Sequence, residues 1–376
     1  MKILLTGGGT GGHFYPIIAV VQEINKIVRE NHLADVEVFY MSPNPYNEGV
    51  LFDNKIIYKK NYAGKIRGYF SILNFFDLFK TGWGIVKSVW EIYLIYPDVV
   101  FGKGGYASFP ALFAAKVLRI PVVIHESDTV PGKVNKWAGK FAKKIALSYP
   151  TAQEYFSRKE NIAYTGQPMR KEILMPLKTN AHEFLNLDPK IKTVLVLGGS
   201  LGSRKINEAI IEALPTLVEK YQIVHQTGQN NFETVNATAE VVLTNSSHKD
   251  RYKTYSFMDT LTLRSAVGAA DIIISRAGST IFEIATWQVP SIIVPIGKSN
   301  GNHQVKNAFA YARSGAATVI EEENLTSNII VAEIDRIVTN EEIKNKMVDS
   351  TKSFVKPEAA KVIAEELIKI GLKHEI

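Results

Sequence analysis

The chain has no cysteine among its 376 residues. Disulfides and thiolate metal sites are therefore excluded, and the composition fits a reducing compartment. No uninterrupted apolar run is long enough to span a bilayer. The apolar start, Ile3-Leu4-Leu5, is too short for a signal peptide and runs into Thr6-Gly7, so it reads as a first strand. No Asp-x-Asp pair stands at a strand end and no helix face carries two histidines, so no metal site is expected. The strand-to-helix elbow of Ser/His/Asp hydrolases is missing too. No short repeat and no low-complexity segment occurs. Acids are in deficit: 37 Asp and Glu against 44 Lys and Arg leave a formal charge of +7. Such a balance suits phosphorylated small molecules, anionic lipid or nucleic acid equally.

What is present is glycine, at particular places. Three glycine-rich turns stand where a strand should pass into a helix: Thr6–His13, Phe101–Tyr106 and Leu197–Ser203. A fourth, Ser275–Thr280, has the same context. Backbone N–H groups at such turns, with the positive end of the following helix, make anion sites. Strands are expected at Ile3–Thr6, Val36–Met41, Asp98–Gly102, Pro121–His125, Thr193–Leu197, Gln222–Gln226, Asp271–Ser275 and Ser291–Pro295. Helices are expected at Phe14–Arg29, Phe109–Leu118, Lys205–Lys220, Thr280–Trp287, Gln304–Ser314 and Glu358–Ile370. This alternation predicts an α/β fold with two doubly wound parallel-sheet domains. If the two face each other, all four turns line one cleft.

The first turn satisfies G-x-G-x-x-G through Gly7, Gly9 and Gly12. A dinucleotide fingerprint also needs an acid at the end of the second strand. That strand runs into Tyr40-Met41-Ser42-Pro43-Asn44, which has none. NAD and FAD are disfavoured, no cofactor is expected, and another kind of anion site is preferred to a ligand-free turn. His13 closes the turn and is either structural or a base working near neutral pH. Ser279 and Thr280 open a helix on which Glu283 shares a face with Ser279. They fit a phosphate and a ribose, or an ordinary capped helix. His125-Glu126, His303-Gln304 and Asn307 are either ligand contacts or surface polar residues.

The segment Lys59–Tyr96 crowds Tyr69, Phe70, Ile72, Leu73, Phe75, Phe76, Leu78, Phe79 and Trp83 among lysines and Arg67. Apolar residues stand all round Ile72–Phe79, more than one core-facing stripe needs. An anionic membrane surface is the favoured partner, with burial between elements or against another subunit as the alternative.

Together these motifs resemble the MurG family of GT-B glycosyltransferases (family 28), the N-acetylglucosaminyltransferases of peptidoglycan synthesis. The matching pieces are Gly8–His13, Gly104–Ser108, Pro121–Glu126, Asn135-Lys136, Gly166–Arg170, Gly198–Ser200 with Asn207, Arg276–Glu283, and Gln304 with Asn307. They fall in order across nearly the whole chain.

The resemblance implies two Rossmann-like domains. One, at 1–167, would bind the undecaprenyl-pyrophosphoryl acceptor and the membrane. The other, at 168–354, would bind UDP-GlcNAc, and a helix at about 355–376 would return to the first. It implies an inverting, metal-independent transfer by a peripheral protein at the cytoplasmic membrane face, with no nucleic-acid partner. Arg170 and the Met258 backbone would lie near the uracil, and Glu283 would hold the ribose. Ser200, Ser279, Thr280, Ile281 and Phe282 would surround the donor diphosphate, and Gln304 would touch the sugar. Thr10, Gly11, Gly12, Gly104, Gly105 and Tyr106 would hold the acceptor diphosphate. Asn135, Asn207, Arg276 and Asn307 complete the binding set. His13 is the first choice of base, with Glu126 and Asp128 as alternatives. One departure stands out: after His-Glu the family usually has Gln or Ser followed by Asn, and this chain has Ser127-Asp128. A carboxylate at Asp128 would repel a phosphate but could still bind substrate by bonding a sugar hydroxyl. The open alternatives are another lipid-acceptor GT-B transferase, a UDP-GlcNAc 2-epimerase-like isomerase and a non-catalytic nucleotide-sugar binder.

Overall fold

A computed structural model of the chain describes residues 1–8, 10–33, 36–65, 72–199, 202–297 and 302–373. The chain forms two compact units, Met1–Arg170 with Lys356–Ile376, and Lys171–Val355. It thus changes unit after Arg170 and again after Val355, against the expected 167 and 354.

The first unit holds seven strands: β1 (Lys2–Thr6), β2 (Glu37–Ser42), β3 (Ile56–Lys60), β4 (Val99–Gly102), β5 (Val122–Glu126), β6 (Lys144–Leu147) and β7 (Ile162–Tyr164). All pair in parallel, in the order β3-β2-β1-β4-β5-β6-β7. β1 is apolar throughout because both faces of such a sheet are covered. Ile3 and Leu5 enter one buried cluster with Phe14, Ile17 and Val21, while Leu4 enters another with Val100 and Leu112. The helix Gly11–Glu30 supplies the first cluster, together with the last helix, Ala359–Leu372, through Ile363, Leu367 and Ile370.

The second unit repeats the plan with six parallel strands: β8 (Thr193–Leu197), β9 (Gln222–Gln226), β10 (Tyr252–Tyr255), β11 (Ile272–Ser275), β12 (Ser291–Ile293) and β13 (Ala317–Val319). Their order is β10-β9-β8-β11-β12-β13. Val194 and Val196 face one cluster, Leu195 and Leu197 the other. In both sheets the strand order reverses direction beside the first strand, between β1 and β4 and between β8 and β11. This is the order of a doubly wound, Rossmann-type sheet, as expected.

The helix Ile72–Ile95 departs from the usual amphipathic plan. It buries only Gly84, Ser88, Ile92 and Ile95, all in its second half. Ile72, Phe75, Phe76, Phe79, Trp83, Val86, Trp90 and Tyr93 are all more than half exposed. These recur every three or four residues, so they form one apolar stripe along the helix. Among the described residues, no helix is long and apolar enough to cross a membrane.

Candidate functional site

Ligands of doubly wound sheets sit beyond the strands' carboxyl ends, at the point where strand order reverses. In the first unit the chain leaves β1 through Gly7 and Gly8, and β4 through Lys103, Gly104 and Gly105. The Lys103 N–H donates to Thr6 O at 2.8 Å, which holds the two turns side by side, and the Tyr40 hydroxyl of β2 donates to Gly7 O at 3.0 Å. Gly104 has φ +87°, and a Cβ there would stand 2.7 Å from Asn135 Nδ2. Both conformation and space therefore require glycine. In the helix that follows the first turn, the amides of His13 and Phe14 donate to Thr10 O. Those of Gly11 and Gly12 precede the first internal bond, as the opening amides of any helix do. Tyr106 is half-buried and opens a short turn in which Ser108 Oγ donates to Gly105 O at 2.9 Å.

Around these turns lie five ionisable groups: His13, Lys103, His125, Glu126 and Asp128. His13 is half-buried, with Nδ1 3.0 Å from Thr10 Oγ1. Its Nε2 faces the second turn, 3.4 Å from where a Cβ on Gly105 would stand. Burial, then the Lys103 charge, pulls the imidazole pKa down to about 4, against the opposing pull of Asp128. His13 is therefore neutral at pH 7, the form a base needs. Lys103 is only 2 % exposed. Burial lowers its ammonium to about 8, while Glu126 and Asp128 oppose the shift. Its Nζ donates to Ser127 Oγ, and Ser127 donates to Gln167 Oε1 at 2.7 Å. Ser148 donates to the same oxygen at 3.0 Å. Glu126 is buried at the end of β5 and accepts from the amides of Asp128 (3.0 Å) and Gly132 (3.1 Å) and from Asn135 Nδ2 (2.9 Å). Burial, then Asp128, pushes its carboxyl up to about 7 despite those bonds and the Lys103 charge. Glu126 and Asn135 thus brace the loop behind the turns. Asn135 also donates to His125 O at 3.0 Å. Burial holds the His125 imidazole well below its usual range.

In the second unit the turn after β8 passes through Gly198 and Gly199, and Ser203 caps the helix Arg204–Lys220 by accepting from the Ile206 amide at 3.3 Å. Gly202 has φ +75°, and a Cβ there would come within 2.0 Å of Thr227 O. Asn207 is buried and donates to Thr227 O at 3.0 Å, with His225 Nε2 3.1 Å from its Oδ1. After β11 comes Arg276, whose guanidinium donates to Val294 O at 3.1 Å and pairs with Glu322. Ser279 stands at the N-cap of the helix Thr280–Trp287 but makes no side-chain capping bond. The amides of Ile281 and Phe282 donate to Gly278 and Ser279 oxygens at 3.2 and 3.1 Å, so those of Ser279 and Thr280 come before the internal ladder. The Ile281 and Phe282 side chains are core, Phe282 stacking on Phe354. Glu283 is half-buried in the first helical turn. Gln304 Oε1 accepts from the Ile296 amide at 3.1 Å, and Asn307 donates to Ala277 O at 3.3 Å.

The structure therefore sorts the expected residues. Thr10, Gly11, Gly12, His13, Gly104, Gly105 and Tyr106 gather at one switch point, and Met258, Ser279, Thr280 and Glu283 belong to the other unit. Asn307 bonds the turn after β11 through Ala277 O, whereas Asn135, Glu126, Asn207 and Arg276 bond the neighbouring strands and loops. The Arg170 guanidinium lies in the first unit, 3.9 Å over the Tyr15 ring, where a cation is attracted to the aromatic face. Gly9, Ser200 and Leu201 of the turns lie outside the described residues, as do Arg67, Tyr69 and Phe70.

Three positions were not singled out from sequence. Lys103 was hidden inside a glycine turn. Gln167 receives the Ser127 and Ser148 bonds. Gln226, at the end of β9, donates to Gly199 O at 3.3 Å and accepts from the Met258 amide at 3.1 Å, tying two expected donor segments together. An amide closing an apolar strand was the available signal for Gln226.

Comparison with known proteins matches residues 3–147 to the glycosyltransferase family 28 N-terminal domain and residues 193–366 to the family 28 C-terminal domain. A Natranaerobius thermophilus protein is 33% identical over 375 residues, covering 98% of this chain and 99% of its own. It is named UDP-N-acetylglucosamine--N-acetylmuramyl-(pentapeptide) pyrophosphoryl-undecaprenol N-acetylglucosamine transferase. The crystal structure of Acinetobacter baumannii MurG superposes with a TM-score of 0.72 at 25% identity, covering 98% of this chain and 99% of that one. A putative UDP-N-acetylglucosamine 2-epimerase from Listeria monocytogenes shares the fold, with a TM-score of 0.71 at 16% identity and coverage of 98% and 95%. With both domain models matched in order and a near full-length relative at this identity, the chain belongs to glycosyltransferase family 28, a GT-B enzyme of the MurG group.

Proposed function

We propose that this enzyme moves GlcNAc from UDP-GlcNAc to the MurNAc 4-hydroxyl of undecaprenyl-pyrophosphoryl-MurNAc-pentapeptide. The transfer inverts the anomeric centre, needs no metal and takes place at the cytoplasmic face of the bacterial plasma membrane. One observation carries the reading beyond family membership. At each switch point the polar side chains behind the glycine turns bond to one another, which leaves backbone amides to meet an anion.

The second unit takes the donor. The amides of Ser279 and Thr280, with Ser200, meet its diphosphate, and Glu283 accepts from the ribose hydroxyls. Met258 meets the uracil through its carbonyl, because its amide is held by Gln226. The first unit takes the acceptor diphosphate on Gly11, Gly12, Gly104 and Gly105. The acceptor oxygen attacks the anomeric carbon, the bond from that carbon to the diphosphate oxygen breaks, and UDP leaves with the electron pair. Helix-start amides stabilise the growing charge on the leaving group. His13 takes the hydroxyl proton at Nε2, which requires Nδ1–H to donate to Thr10 Oγ1. The apolar stripe of Ile72–Ile95 lies on the bilayer surface, with Lys80 and Lys87 beside it for anionic headgroups.

The test supplies UDP-GlcNAc and a lipid-linked MurNAc-pentapeptide acceptor, then follows UDP release and product mass. Release coupled to a product heavier by one GlcNAc is expected. No transfer beside an active family member, or epimerisation of the donor without acceptor, overturns the reading.

A further inference from the structure

The departure at Asp128, beside Ser127, leaves a charge problem at the acceptor turns. Glu126 and Asp128 place two carboxyl groups beside turns assigned to a diphosphate, and each raises the cost of bringing an anion there. Among the described residues, Lys103 supplies a cation to this cluster. Lys103 lies in the turn itself, fully enclosed, with its ammonium on Ser127 Oγ. The groups acting on it from other elements are Glu126 at the end of β5 and Asp128 after it, and its own charge acts on His13 of the first helix and His125 of β5. Its hydrogen-bond chain has a fixed direction. Lys103 donates to Ser127, Ser127 to Gln167, and Ser148 to the same Gln167 oxygen. The lone pair of Ser127 is thereby turned toward the ammonium. Ser127 and Asp128 thus act as a set with Lys103: one holds the cation and the other is balanced by it.

We propose that Lys103 is a positioning residue of the transfer reaction, whose buried ammonium, held by Ser127, offsets Asp128 so that the glycine turns accept the acceptor's diphosphate. The inference rests on the function proposed above. Lys103 does not touch the substrate; it acts through the charge of the cluster. Because the role is electrostatic, its loss should weigh on an anionic acceptor and not on a neutral one.

The experiment compares wild type, Lys103→Met, Asp128→Asn and the double variant. Each is given the diphosphate acceptor and a neutral methyl glycoside of the same sugar, its carboxyl groups blocked as amides. With the diphosphate acceptor, Lys103→Met is expected to raise acceptor KM about tenfold or more, the scale of one unscreened charge contact. The donor KM should stay unchanged. Adding Asp128→Asn should restore most of that loss. With the neutral acceptor, the Lys103→Met penalty should shrink to within about twofold. Equal penalties for both acceptors, or no recovery in the double variant, overturn the proposal. If Lys103→Met does not fold, Asp128→Asn alone decides: it should lower KM for the diphosphate acceptor only, and an unchanged KM refutes the idea. A wild type that transfers to neither acceptor instead overturns the function itself.

Discussion

Replacing Gly278 with alanine separates a glycine kept for the chain from one kept for a ligand. A Cβ at Gly278 meets nothing within 4 Å, and its φ is not positive. The fold has room for the methyl group, so a stability change of no more than about 1 kcal/mol is expected, the glycine-to-alanine scale. The open space is the approach to the Ser279 and Thr280 amides. A phosphate oxygen bonds an amide at about 2.9 Å, closer than a methyl group allows beside it. Pushing the donor diphosphate off those amides loses at least one charge-assisted bond, worth roughly 1.5–3 kcal/mol. UDP should therefore bind about 10- to 150-fold more weakly. The assay is calorimetric UDP titration alongside thermal unfolding. Gly202→Ala is the contrast, because its Cβ would strike Thr227 O and its φ is +75°. That variant should lose stability, by about 2–4 kcal/mol from strain and overpacking. Gly278→Ala binding UDP as wild type does would refute the placement of the diphosphate at this helix start.

Three further outcomes are expected. His13→Ala should lower turnover by about 10²-fold or more with little change in UDP affinity, and since burial holds His13 near pKa 4, the wild-type rate should show no His13 limb between pH 6 and 8; unchanged turnover removes it from the chemistry. Glu126 has its folded pKa raised from 4.5 to about 7, so the stability it contributes is full below pH 4.5 and lost as pH rises through 7, by about 3 kcal/mol. His13, His125 and His225 have lowered pKa values and slope the other way at lower pH, so the readout is wild type minus Glu126→Gln, measured by denaturant unfolding from pH 5 to 8; a flat difference contradicts the raised pKa. Changing Phe75, Phe76 and Phe79 together to serine should weaken binding to anionic vesicles while thermal unfolding stays near wild type, because all three side chains are exposed; unaltered vesicle binding removes the stripe from membrane contact.

The central strands and the turns are legible in the sequence because most of those strands carry apolar runs, and β1, β4, β8 and β11 lead into glycine turns. The strands β3, β6, β7, β10 and β13 were not singled out. Ile162–Tyr164 and Ala317–Val319 are three residues each, too short for any period to show. Tyr252–Tyr255 is half-buried at a sheet edge and reads as polar. The site divides in the same way. Residues within a glycine turn stood out, whereas their supports depend on partners distant in the chain. Nothing near Lys103 in sequence announces its enclosure, which comes from β5 and the loop after it. Asn135 and Asn207 were found as motif members, but whether they face a ligand or brace a turn is decided only by packing.

The return of the last helix to the first unit bears on how the protein is made. Residues 171–355 form a continuous stretch of chain, so the second unit can close as soon as that stretch leaves the ribosome. The first unit cannot. Its core lacks Ile363, Ala364, Leu367 and Ile370 until the final residues emerge. The half synthesised first is thus completed last, and a chain stopped at Val355 would carry an intact second unit beside a first unit with an uncovered apolar face.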